Sequence, residues 1–169
     1  MQASLRGQLL DHHRFASTAD VIARLNRHLL VNAPEDRFAT LFFGIYNSAT
    51  RQLRYTNAGH LPPLYFSGSG VQRLDLGGTI VGIFSDCEYE QGTITLEPGC
   101  LLAAYTDGIS EPENAYGEQF GRDRIIEVIQ RNRDQRPEAI LDALVAAVEL
   151  WAGTPEQADD MTVLLASCL

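Results

Sequence analysis

Chemistry in this chain concentrates at two short acidic stretches. The first is Tyr105-Thr-Asp-Gly-Ile-Ser-Glu111, which follows the apolar run 101–105. An apolar run of that length reads as a buried strand. A carboxylate at its end, followed by a glycine that lets the backbone turn, presents a charged ligand from a rigid scaffold. The second is Asp159-Asp160-Met161-Thr162, followed by the apolar 163–166, so here the acids precede the strand. If the two strands pair antiparallel, the end of one lies beside the start of the other. Asp107 then meets Asp159 and Asp160 at one sheet edge. Clustered carboxylates repel unless a proton or cation joins them, and oxygen donors suit a hard divalent metal. Two plainer alternatives stay open: a lone Thr-Asp-Gly is a common turn, and the aspartates can simply cap strands.

Other reactive side chains are weaker candidates. His60 lies in Asn57-Ala-Gly-His60, before Pro62-Pro63, where a structural turn competes with a general-base role. His12 and His13 are adjacent and point different ways on a helix, so they read as exposed. Glu118 is either a substrate contact or part of a solvated turn. Ser67-Gly-Ser-Gly70 does not complete a dinucleotide-binding glycine pattern. Cys87, Cys100 and Cys168 are widely spaced and form no CxxC, so they suggest neither a zinc site nor a disulfide framework. Free thiols in a reducing cytoplasm are the simplest reading.

The elements that must position these groups follow from periodicity. Residues 1–14 read as a helix, and a second runs from a Ser17 or Thr18 cap to about Asn32. From Phe38 the period changes to two. The run 38–46 reads as a strand covered on both faces, with a return strand around Leu53 to Thr56. Stretches 64–66 and 71–74 flank a hairpin, and a further strand spans about 89–96. Helices follow over about 121–133 and 137–151, the latter opened by Pro137. The last strand is 161–167. The order predicts an α+β domain of antiparallel strands sheathed by helices.

The chain has 169 residues, enough for one domain with a sizeable core. A formal net charge of -9 argues against nucleic acid and against docking on anionic lipid. No apolar stretch approaches a membrane span, and the first residues lack a signal-peptide pattern.

Five segments in order resemble bacterial serine/threonine phosphatases of the 2C-like, metal-dependent (PPM-type) class, in the SpoIIE/RsbU branch. Phe38-Ala-Thr-Leu-Phe-Phe-Gly-Ile-Tyr46 is similar to F-x-T-x-x-x-G-x-x. Arg54-Tyr-Thr-Asn-Ala-Gly-His-Leu-Pro-Pro63 resembles R-Y-x-N-A-G-H-x-P-P. Tyr105-Thr-Asp-Gly-Ile-Ser-Glu111 resembles Y-T-D-G-[VI]-x-E, and Gly117-Glu-Gln-Phe-Gly121 resembles G-E-x-F-G. Gln157-Ala-Asp-Asp-Met-Thr162 is similar to Q-x-D-D-[MI]-T.

The resemblance implies an antiparallel β-sandwich flanked by helices, with two Mn²⁺ or Mg²⁺ ions at one end. It implies that a water bridging the ions attacks phosphoserine or phosphothreonine, so no side chain is the nucleophile. Asp107 and Asp159 would be metal ligands. Asp160, with Gly108, would stand behind them, or Asp160 would take the ligand place instead. The substrate implied is a phosphorylated protein of the anti-anti-sigma type. Residues 1–32 resemble the family's switch helices, although amphipathic helices packing on a sheet explain them equally well. The family's G-D-x-x-D and D-x-S-G-H/K-G segments have no counterpart here, so the chain is expected to be a partial domain over 1–169. Its N-terminal strands and half its metal site would be missing, leaving weak metal binding and little or no activity. The uncovered sheet edge is expected to favour a homodimer or strand exchange. A second reading is a non-catalytic pseudophosphatase module that binds the same partner.

Overall fold

The computed structural model describes residues 17–32, 37–153 and 159–168. The helix expected over 1–14, with His12 and His13, lies outside them. No described helix is long and apolar enough to cross a membrane. The described residues fall into two compact units, one of residues up to Pro62 with Leu74–Glu97, the other of Pro63–Arg73 with the chain from Pro98 onward.

In the first unit, helix α1 (Thr18–Asn32) packs on the sheet of β1 (Leu41–Asn47), β2 (Gln52–Ala58), β5 (Gly77–Gly78) and β6 (Gly92–Thr95). Ser17 caps α1, since its Oγ accepts the Asp20 N–H at 3.1 Å. Thr18 turns inward, its hydroxyl 2.8 Å from that of Thr56. The i, i+4 stripe of Val21 and Leu25, with Ile22, is buried, and Ile22 packs with Ala58 and Val81. Strand β2 is central: β1 pairs antiparallel on one side, while β6 and β5 share the other.

Three expectations are corrected here. Strand β1 is not covered on both faces: Gly44 is exposed and Tyr46 is 50% exposed. The strand expected over 89–96 narrows to Gly92–Thr95 because the Glu90 backbone is engaged elsewhere, its N–H donating to Gly77 O and its carbonyl accepting from Thr56 Oγ1. The short β2–β5 pairing is parallel. There Gly77 lies so close to Asn57 that a Cβ would stand 1.8 Å from the Asn57 carbonyl oxygen.

The second unit holds an antiparallel sheet in the order β4-β3-β7-β8. These are β3 (Leu64–Ser67), β4 (Gly70–Arg73), β7 (Leu101–Tyr105) and β8 (Val163–Ser167). Helices α2 (Asp107–Ser110), α3 (Gly121–Arg131) and α4 (Pro137–Ala152) complete it. Helix α4 buries Ile140, Leu144 and Val148, an i, i+4, i+8 stripe, and contacts β8. Alternation along β7 buries Leu101, Ala103 and Tyr105. At the start of β7, Cys100 and Cys168, widely spaced in sequence and both free thiols, are opposite each other, Sγ to Sγ 2.8 Å.

Candidate metal centre

The site is built by the β7–β8 ladder. Its register runs from Leu101↔Ser167 to Tyr105↔Val163, the antiparallel arrangement read from the sequence. Beyond Tyr105 the pairing continues through Thr106, whose N–H donates to Thr162 O at 3.0 Å. The Thr106 hydroxyl accepts the Thr162 N–H at 3.0 Å and donates to Asp160 O at 3.1 Å. One side chain thus satisfies a donor and an acceptor on the incoming strand. The Thr106 bridge is the part of this arrangement that sequence reasoning missed. Its signal was a hydroxyl residue between a strand end and an acid in both Thr106-Asp107 and Asp160-Met161-Thr162.

Gly108 closes the approach. A Cβ there would lie 2.5 Å from Asp160 O, 2.9 Å from Asp160 C and 3.3 Å from Asp159 O. The expected reason for this glycine was a backbone turn, but Gly108 is not among the positive-φ glycines and sits inside α2. It is required by space: the 159–160 backbone lies where a side chain would go.

Asp107 therefore starts α2 beside the Asp159–Asp160 backbone. All three aspartates are exposed. Asp107 Oδ1 accepts the Gly108 N–H at 3.1 Å, and Asp159 Oδ1 accepts the Asp160 N–H at 2.7 Å. Each local bond orients one carboxylate and leaves its remaining lone pairs for another partner. The donors fit a hard divalent cation in kind. In number they are few: among the described residues no group of three or more His, Cys, Asp or Glu side chains could hold a metal. Beside the acids, a hollow of about 570 Å³ is lined by Ile109, Leu141, Val145 and Met161, with Asp142 and Glu149.

Two other candidates have structural work in the fold. Asn57 is buried, its Oδ1 accepting the His60 N–H at 2.8 Å and its Nδ2 donating to His60 O at 2.9 Å. It clamps the turn that carries His60 in the first unit. Glu118 belongs to a loop pinned by Asn114, whose Oδ1 accepts its N–H at 3.0 Å and whose Nδ2 donates to its Oε2 at 2.9 Å. Trp151 Nε1 donates to Glu118 O at 2.9 Å, and the Arg124 guanidinium lies 3.8 Å over the Trp151 ring.

Comparison with solved structures places the fold. The SiaA PP2C domain of Pseudomonas aeruginosa superposes with a TM-score of 0.75 at 21% identity, covering 88% of this chain and 60% of that one. The SpoIIE phosphatase domain of Bacillus subtilis, presoaked with manganese, gives 0.66 at 19% identity, covering 99% and 71%. The two sheets and their helices are thus the α+β fold of 2C-type phosphatase domains. In sequence, phosphoserine phosphatase RsbU of Bacillus subtilis is 33% identical over 113 residues, which is 64% of this chain and 34% of RsbU. The chain belongs to the stage II sporulation protein E (SpoIIE) family, which it matches over residues 2–169. It spans between 20% and 34% of the length of the curated relatives it matches.

Proposed function

We propose that this chain is the catalytic-domain portion of a metal-dependent protein serine/threonine phosphatase acting on a phosphorylated regulatory protein of the anti-anti-sigma type. The observation that carries the reading is the Thr106 bridge, which ties the Asp160 backbone to the strand end that Asp107 follows. Family membership and the name of RsbU, a phosphoserine phosphatase, support it. Asp107 and Asp159 would hold Mn²⁺ or Mg²⁺, while Asp160, whose carbonyl is tied to Thr106, would support that pair or replace Asp159. When bound, such ions lower the pKa of water and neutralise phosphoryl oxygens. This chain's own part would be to hold the exposed carboxylates beside the β7–β8 ladder end, each of Asp107 and Asp159 oriented by one backbone N–H.

With so few carboxylates gathered among the described residues, the isolated chain would bind metal weakly and turn over little substrate. That same observation favours the second reading, a pseudophosphatase module that binds the phosphoprotein without turnover. We also propose one partial domain over 1–169, switch helices within 1–32, a cytoplasmic location and a homodimer. The decisive experiment is Mn²⁺-dependent hydrolysis of p-nitrophenyl phosphate by this chain, alongside a form extended by whatever coding sequence lies upstream. Activity confined to the extended form, lost in Asp107→Asn and Asp159→Asn but kept in Asp160→Asn, would support the phosphatase reading. Silence of both folded forms would transfer the conclusion to the binding module.

A further inference from the structure

We infer that Cys100 and Cys168 form a thiol redox site that reacts with small-molecule disulfides and closes to an intramolecular bond between β7 and β8. The two residues are 68 apart in sequence, yet their sulfurs are 2.8 Å apart. Their backbones are already paired, with Cys168 N donating to Cys100 O at 3.0 Å and Gly99 N donating to Cys168 O at 2.9 Å. Closing a bond of about 2.05 Å from that separation needs less than an ångström of movement. Both thiols are free in the structure.

The two sulfurs differ in access. Cys100 is 1% exposed, whereas Cys168 is half-buried. Burial pushes the Cys100 thiol up to about 12, with its bond to Cys168 adding to the effect. Cys168 is therefore the attacking thiol. Its thiolate displaces one thiolate from a small disulfide and forms a mixed disulfide. Cys100, held against it, then attacks the Cys168 sulfur and passes its proton to the departing group, which leaves as the second thiol. Two cysteine thiols are oxidised, one small disulfide is reduced to two thiols, and the atoms and electrons balance.

The link would join the end of the β7–β8 ladder opposite to the one that carries the aspartates. It does not depend on the phosphatase reading, because its readout is covalent. Cys87 is an internal control: it lies in the first unit, where its thiol donates to Phe84 O at 3.3 Å. The test is to incubate the folded chain with glutathione disulfide, alkylate the remaining thiols under denaturing conditions and measure the intact mass. The expected product has lost two hydrogens, carries one alkyl group at Cys87 and yields a Cys100–Cys168 linked peptide. Stable glutathione adducts without that link, or three alkylated thiols, would overturn the inference. The oxidised chain should also melt on the order of 10 °C higher than the reduced one. Cys100→Ser and Cys168→Ser should each abolish the difference. Equal melting of the two native forms would overturn the claim that the bond fixes the ladder.

Discussion

Replacing Gly108 with alanine tests whether close backbone approach, rather than turning, is what the site requires. The added Cβ would sit 2.5 Å from Asp160 O, and ordinary contact begins near 3.4 Å, so the two must separate by the difference, 0.9 Å. Retreat is resisted, because Asp160 O is bonded to Thr106 Oγ1 and that oxygen also holds the Thr162 N–H. Overpacking of this kind costs about 1–3 kcal/mol, and a hydrogen bond lost in the retreat adds about 1 kcal/mol. Alanine's better helix propensity and the stiffer unfolded chain return about 0.5–1 kcal/mol. The net expectation is a loss of about 2 kcal/mol, or a fall of roughly 4–8 °C in melting temperature for a chain of this size. The only tryptophan, Trp151 in α4, reports on the unit that contains the change. Gly70→Ala, in the β3–β4 hairpin, is the informative comparison: its φ is +126° with nothing within 4 Å, so it carries backbone strain without crowding. Gly108→Ala should lower both melting temperature and Mn²⁺ affinity, and Gly70→Ala only the former. A Gly108→Ala chain that melts with or above the native one would refute the argument from space.

Thr106→Val keeps shape but removes the hydroxyl, leaving the Thr162 N–H and Asp160 O without their partner. Because Thr106 is only half-buried and water can reach it, the loss should be about 1 kcal/mol in a urea titration, with Thr106→Ser near native. A Thr106→Val midpoint equal to native would count against the bridge. In alkali, the chain should destabilise. Burial raises Tyr55 and Tyr105, and it raises Cys100 to about 12, so the folded state holds these protons more tightly than the unfolded one. Their contribution is complete below the ordinary thiol and phenol values of 9.0 and 10.0 and is lost as pH rises beyond them. Urea midpoints measured from pH 8 upward should fall above about pH 9; a midpoint constant or rising to pH 11 would contradict this.

Period and local chemistry made much of the fold legible. The helix from Ser17 to Asn32, the hairpin read at 64–66 and 71–74 and the Pro137 helix follow from apolar spacing, caps and turn residues, and all three stand in the structure, the hairpin strands at 64–67 and 70–73. The antiparallel meeting of β7 and β8 was legible because two apolar runs carried acids at opposite ends. What stayed hidden depends on contacts between distant residues. A glycine chosen for a turn and one chosen for close approach look alike in sequence, as Gly108 shows. Cys100 and Cys168 looked unrelated because sequence distance says nothing about their ladder position. The narrowing of β6 likewise follows from the bond between the Glu90 N–H and Gly77 O, which no local pattern encodes.

Register is where these features converge. Strand β8 ends the order β4-β3-β7-β8, so among the described strands β7 alone holds it. Leu164 is exposed and Val163 and Leu165 are only half-buried, so burial specifies this strand weakly. A slip of one residue would turn every β8 side chain to the opposite face. A slip of two would carry Asp160 about 7 Å along the ladder, away from Gly108 and Thr106. The aspartates can therefore act together only if something other than the apolar pattern fixes the register. At one end that is the Thr106 hydroxyl with the space reserved by Gly108. At the other it is the paired backbone of Cys100 and Cys168. On this reasoning, a substitution that loosens either end should disturb the acidic site even where it touches no carboxylate.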